Sequence, residues 1–189
     1  MSHKLRIYYT EMAYRKTLAI VHGFETEVAW HMMVYPYMDG YKVHDIEVYP
    51  QKASAGYVEV DLNKWALWRN DLANRNAPFE QNMFGQGHSH VNMETFVSGT
   101  DRNSQNGEIA MKKNGFYLFQ IWNKKGDINT IFYDVNRKTV YNRDDIDLIV
   151  EYPEDETVEE FVERTAELVE KKDRIFVNGV EINEFSEVV

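Results

Sequence analysis

The residues from Thr26 to Tyr37 form a long, mostly apolar and aromatic stretch, and this stretch places the strongest constraint on how the chain can fold. Such a stretch, bounded by polar and turn-forming residues, predicts a buried strand. A membrane-spanning helix needs roughly 20 apolar residues, and no run in the sequence approaches that length. The chain is therefore expected to bury this stretch inside a sheet, without membrane insertion.

Strands and helices are predicted to alternate along the chain. Lys4 to Tyr9 has the composition of a short strand, and Glu11 to His22 has that of a helix ending at Gly23. Further strands are expected at 43–49, 56–61, 82–91, 116–123, 129–134 and 146–152, and further helices at 63–75 and 98–113. This order predicts an α/β fold in which helices flank a mixed, curved β-sheet.

Charge divides the chain unevenly. Residues 1–143 hold 17 basic and 15 acidic side chains, whereas residues 144–189 hold 4 and 16. We expect one domain over residues 1–150, extended at residues 151–189 by an acidic helix (157–172) and a hairpin turning at Asn178-Gly179. The acidic end is interpreted as a solvated helix face, with a docking surface for a basic partner as the alternative. Nucleic acid is not an expected partner, because the chain lacks the basic excess that phosphate binding needs.

The sequence contains no cysteine. This excludes disulfides, thiolate zinc sites and cysteine nucleophiles. It suits a reducing compartment, and no signal peptide is recognised at the N-terminus, so a cytoplasmic location is expected.

One segment combines residues that can bind a metal. His88 and His90 are one residue apart in a predicted strand, so both would project from the same face. Asp101, near the start of the next predicted helix, can add a carboxylate, and Ser98 precedes it by three residues. Two histidines and one carboxylate leave an open position on zinc, as in catalytic sites. The alternative is surface histidines followed by a helix cap, but this joint spacing is expected by chance only roughly 4 times in 10,000 such sequences.

His-x-His, seven residues and then Ser-x-x-Asp resembles the signature of the JAMM family, the zinc metalloproteases of the MPN fold. The resemblance covers roughly residues 5–150. It implies a Zn²⁺ ion held by His88, His90 and Asp101, and Ser98 as a hydrogen-bond donor to the tetrahedral intermediate. It also implies a catalytic glutamate at the start of the strand after the first helix. Glu27 matches that position, and Glu25 is the fallback.

The implied activity is zinc-dependent hydrolysis of a peptide or isopeptide bond in a protein or peptide substrate, such as the C-terminus of a ubiquitin-like protein. The chain departs from the family at Val91-Asn92, where many members have proline after the second histidine, and at Val28-Ala29-Trp30, where a small glycine-containing run is common. The slim build resembles prokaryotic or phage-associated members. Two alternatives are a non-catalytic MPN-fold binding or assembly module and a zinc hydrolase acting on a cell-wall peptide or a nucleotide.

His31 lies four residues after Glu27 and would share its face on a strand. It can therefore line the cleft, but a structural role beside Trp30 is the preferred interpretation.

Overall fold

The computed structural model describes residues 4–54, 56–99, 101–103, 105–106, 114–152, 175–177 and 180–182. The chain divides into two compact units, Met1–Tyr152 and Pro153–Val189. In the described part of the chain, no helix has both the length and the apolar character needed to cross a membrane.

The first unit is an α/β structure built on a mixed, curved sheet of eight strands. These strands are β1 (Leu5–Thr10), β2 (Ala29–Tyr37), β3 (Gly40–Val48), β6 (Met83–Ser89), β7 (Phe116–Trp122), β8 (Ile128–Asp134), β9 (Thr139–Tyr141) and β10 (Ile146–Glu151). Their spatial order is β10-β1-β3-β2-β6-β7-β8-β9. β1 runs parallel to both of its neighbours, β6 runs parallel to β7, and the remaining neighbours are antiparallel.

A separate hairpin of β4 (Gln51–Ser54) and β5 (Tyr57–Val60) follows β3. The helices of this unit include α1 (Glu11–Gly23), α2 (Leu62–Arg75) and α3 (Ala77–Gln81), and a 3₁₀ turn spans Arg143–Asp145. Helical backbone also occurs at residues 99, 101–103, 105 and 106, which we call the Asp101 helix. Most predicted strands and helices of this unit are confirmed, but β4, α3, β9 and the 3₁₀ turn were not predicted.

Alternating side chains of β2 explain why helices lie on both faces of the sheet. Trp30, Met32 and Val34 are fully buried in the larger core cluster, which also takes Ala13 and Val21 of α1. Met33 points the other way, against a smaller cluster of Leu72, Phe79 and Met83 that belongs to α2, α3 and β6. Both faces of β2 are thus covered, as its apolar sequence predicts.

In the second unit, β11 (Ile175–Val177) pairs antiparallel with β12 (Val180–Ile182). This pairing confirms the two arms of the predicted terminal hairpin. The predicted Asn178-Gly179 turn, the helix at 157–172 and the end of the helix predicted at 98–113 lie outside the described residues.

Candidate metal centre

His88 lies in β6, and His90 follows the last residue of that strand. The strand expected at 82–91 is therefore shorter than predicted, because Val91 has a φ of 48°, which is unusual for a β-branched residue and turns the chain out of the sheet. The end of β7 and the turn after it hold this bend, since His90 N–H donates to Trp122 O at 2.7 Å and Lys124 N–H donates to Val91 O at 2.7 Å. The two imidazole Nε2 atoms lie 3.1 Å apart.

Asp101 uses its two carboxylate oxygens differently. Oδ2 accepts a hydrogen bond from Ser98 N–H at 2.7 Å, and Ser98 Oγ accepts one from Asp101 N–H at 3.1 Å. These reciprocal bonds form a capping box at the start of the Asp101 helix. Oδ1 lies 3.5 Å from His88 Nε2. The helix-cap interpretation and the ligand interpretation of Ser-x-x-Asp are therefore compatible, each on its own oxygen.

The three side chains lie close enough together to hold one metal ion. One ligand atom from each of His88, His90 and Asp101 lies within 4.8 Å of the others. Zinc bonds to nitrogen and carboxylate oxygen are about 2.0–2.2 Å long, so neighbouring ligands of a tetrahedral ion lie about 3.3–3.5 Å apart. The spacings of 3.1 Å and 3.5 Å are close to this value. Among the described residues, this group contains no fourth histidine or carboxylate, which leaves room for a substrate or water.

The protonation of both imidazoles follows from their surroundings. His90 Nδ1 lies 2.7 Å from Glu94 O, and because a carbonyl only accepts, Nδ1 carries a hydrogen; in the neutral form of this ring, Nε2 has the lone pair. In the metal-free protein, the short contact between the two rings then requires a hydrogen on His88 Nε2. Burial lowers the pKa of His88 to about 4, against the opposing effect of Asp101. His88 is therefore neutral near pH 7, and its hydrogen has to leave Nε2 for Nδ1 before Nε2 can bind a metal.

Glu27 lies just before β2, opposite His90 in the register of β2 and β6. β2 and β6 pair Ala29 with His88, and Ser89 N–H donates to Val28 O at 2.9 Å, so the same register brings Glu27 opposite His90. The Glu27 side chain is buried, and burial raises the pKa of its carboxyl group; His90 opposes this shift and Asp101 reinforces it. The fallback residue, Glu25, is 83% exposed and pairs with Lys124 at 2.7 Å. Glu27 is thus the glutamate close to His90 and Asp101, two of the three candidate ligands.

His31 lies apart from this group. Its ring stacks on Trp68, with centroids 6.0 Å apart, and Trp65 Nε1 donates to its Nε2 at 3.4 Å. These contacts agree with the structural role preferred from the sequence, as part of the packing between β2 and α2.

Several side chains that support the site carry no recognisable motif. Gln51 accepts a hydrogen bond from Ala29 N–H at 2.8 Å and donates to Ala29 O at 2.7 Å, and Glu27 N–H donates to Ser54 O at 2.8 Å. β4 therefore fixes the backbone that carries Glu27. Single amide contacts between distant positions leave no periodic signal, and β4 itself was not predicted, so sequence reasoning missed them.

The sequence matches no protein-family model, and comparison with curated proteins gives no match.

Proposed function

We propose that this protein is a zinc-dependent hydrolase that cleaves peptide or isopeptide bonds, with a JAMM-like ligand set on an MPN-type fold. The observation that carries the proposal is the convergence of His88, His90 and Asp101 on one point, with the buried Glu27 beside them. The absence of cysteine fits a protein that functions in the reducing environment of the cytoplasm.

His88, His90 and Asp101 would hold the ion. Zinc, when bound, acts as a Lewis acid on a carbonyl oxygen and lowers the pKa of a coordinated water molecule. The protein already orients two of these side chains, because the Glu94 carbonyl contacts the His90 ring and the Ser98 N–H donates to the Asp101 carboxylate.

Glu27 is suited to move the proton in such a hydrolysis. A carboxyl group whose pKa is raised by burial is a better base near neutral pH than an exposed one. Its carboxylate would accept a proton from water as the oxygen attacks the carbonyl carbon. The same carboxyl group would return that proton to the amine nitrogen as the C–N bond breaks.

Ser98 can supply a hydrogen bond to the developing oxyanion. Its Oγ accepts the Asp101 N–H in the capping box, and this contact leaves the hydroxyl hydrogen available to a substrate. Donors of this kind contribute about 100- to 1,000-fold to the rate when they are correctly placed.

A cleft of about 480 Å³ borders the loop between His90 and the Asp101 helix. Phe96 lines this cleft, is 57% exposed, and contacts the His90 ring edge-on with centroids 5.6 Å apart. None of the three candidate ligands lines the cleft, which adjoins them through Phe96, and a concave surface beside the site suits binding of a peptide or a small protein's C-terminal tail.

The test compares Glu27→Gln with the matched control Glu25→Gln. Each variant is loaded with zinc and assayed on a peptide amide, a lysine isopeptide of a ubiquitin-like tail, a cell-wall peptide and a nucleotide. We expect Glu27→Gln to retain zinc and lose about 100- to 10,000-fold of the activity, the usual contribution of a general acid–base group. Glu25→Gln should keep its activity, because that side chain is an exposed ion-pair partner.

Full activity of Glu27→Gln would contradict the proposal. Zinc-loaded protein that cleaves none of the substrates would instead support the alternative of a binding or assembly module.

A further inference from the structure

Three consecutive carbonyl groups in the loop after His90 each accept a hydrogen bond from a different side chain. Met93 O accepts from Asn123 Nδ2 at 2.9 Å, and Thr95 O accepts from Asn129 Nδ2 at 2.6 Å. Glu94 O, between them, accepts from His90 Nδ1 at 2.7 Å.

The two asparagines belong to one hairpin, formed by β7 and β8. Asn123 follows β7 and Asn129 lies in β8. Asn123 is 1% exposed, and its Oδ1 accepts hydrogen bonds from the backbone N–H groups of Lys125 and Asp127 at 3.0 Å and 2.9 Å. Its amide group is therefore oriented before it reaches the loop.

The loop has little regular structure of its own. Residues 94–98 are neither helical nor paired in the sheet. A carbonyl direction in such a segment depends on side-chain contacts, because no neighbouring strand fixes it. Holding the carbonyls on both sides of Glu94 restricts the direction in which Glu94 O can point.

We propose that Asn123 and Asn129 are positioning residues that aim the Glu94 carbonyl at His90 Nδ1 and so fix the His90 tautomer whose Nε2 can bind a metal. This inference deepens the proposed function and rests on it for the identity of the metal. Without the anchored carbonyl, the imidazole hydrogen can move to Nε2, and a metal must then displace it.

Asn129 provides the cleaner test, because Asn123 also shapes the hairpin turn. Asn129→Asp keeps the shape and removes the donor, and Asn129→Ala removes the donor without adding charge. Asn82→Asp is the matched control, since Asn82 Nδ2 donates to Pro78 O at 2.8 Å in another part of the fold. Thermal unfolding verifies that all variants are folded.

Two measurements are made on each protein. ¹⁵N NMR of the metal-free protein reports which His90 nitrogen carries the hydrogen, and competition with a chelator gives the affinity for Zn²⁺. We expect wild type and Asn82→Asp to hold the hydrogen on Nδ1. In both Asn129 variants we expect a mixture of tautomers and an affinity lower by roughly 10-fold, at the low end for groups that orient metal ligands.

Retention of the pure Nδ1–H tautomer in both Asn129 variants would overturn the inference. An effect in Asn129→Asp alone would also overturn it, because the added charge would then be responsible. If wild type binds no Zn²⁺ but the tautomer still changes as expected, the positioning role stands and the proposed function fails.

Discussion

Asp101 combines a structural role and a proposed ligand role, and the substitution Asp101→Asn should separate them. The amide oxygen of the asparagine can still accept a hydrogen bond from the Ser98 N–H and preserve the helix cap, but the amide nitrogen then faces His88 in place of Oδ1. The lost negative charge in the first helical turn costs about 0.3–1 kcal/mol. Asp101→Ala also removes the cap acceptor, which adds about 1 kcal/mol.

In the wild-type protein, bound zinc should stabilise the folded state by more than either Asp101 substitution destabilises it. At a free concentration 100 times the Kd, a ligand that binds only the folded state stabilises it by about 2.7 kcal/mol. For a unit of about 150 residues, each kcal/mol shifts the Tm by about 2–4 °C, so zinc should raise the Tm by about 5–11 °C. Asp101→Asn should lose most of this shift while its metal-free Tm changes little.

The assay is thermal unfolding of each protein in chelator and in buffered zinc. Asp61→Asn is the control, because Asp61 caps α2 through Asn63 N–H and Lys64 N–H without belonging to the metal group. Asp61→Asn should show the full zinc-dependent shift. The same full shift in Asp101→Asn would refute the assignment of Asp101 as a ligand.

Three further perturbations test neighbouring parts of the site. Gly87→Ala should lower the free energy of unfolding by about 1–3 kcal/mol in urea titrations, because a Cβ there would lie 2.5 Å from the Trp30 ring. Glu27→Gln should stabilise the metal-free protein at pH 7. A carboxyl group whose pKa is raised in the folded state stabilises that state below its ordinary pKa of 4.5, and this contribution is lost as pH rises through the folded-state pKa. Urea titrations should therefore show the gain from Glu27→Gln shrinking as pH falls toward 4.5. Gln51→Ala should reduce hydrolysis with zinc content unchanged, because Gln51 holds the backbone of Ala29, two residues after Glu27. Equal activity of this variant and wild type in the peptide assay would exclude that positioning role.

The sheet could be predicted where the sequence signal is local. The apolar run that contains β2 and the hairpin of β7 and β8 depend on side-chain periodicity and turn residues within a few positions. β4 and β9 are short and exposed, so they carry little apolar pattern. The early end of β6 depends on the positive φ of Val91, a conformation that its side chain disfavours and its sequence does not signal.

The candidate ligands could be predicted because a motif spans them within 14 residues of sequence, His88 to Asp101. The sequence alone could not decide between Glu27 and Glu25, since the choice depends on the register in which β2 pairs with β6. The contacts of Gln51 and Asn129 join positions far apart in the chain, and one sequence contains no information on such pairs.

X-ray absorption at the zinc edge of protein dialysed against Zn²⁺ tests whether His88, His90 and Asp101 bind one ion. We expect one zinc per chain with two imidazole nitrogens and a carboxylate oxygen at about 2.0–2.2 Å. Failure to take up zinc, or a spectrum with a single imidazole or none, would contradict this ligand set.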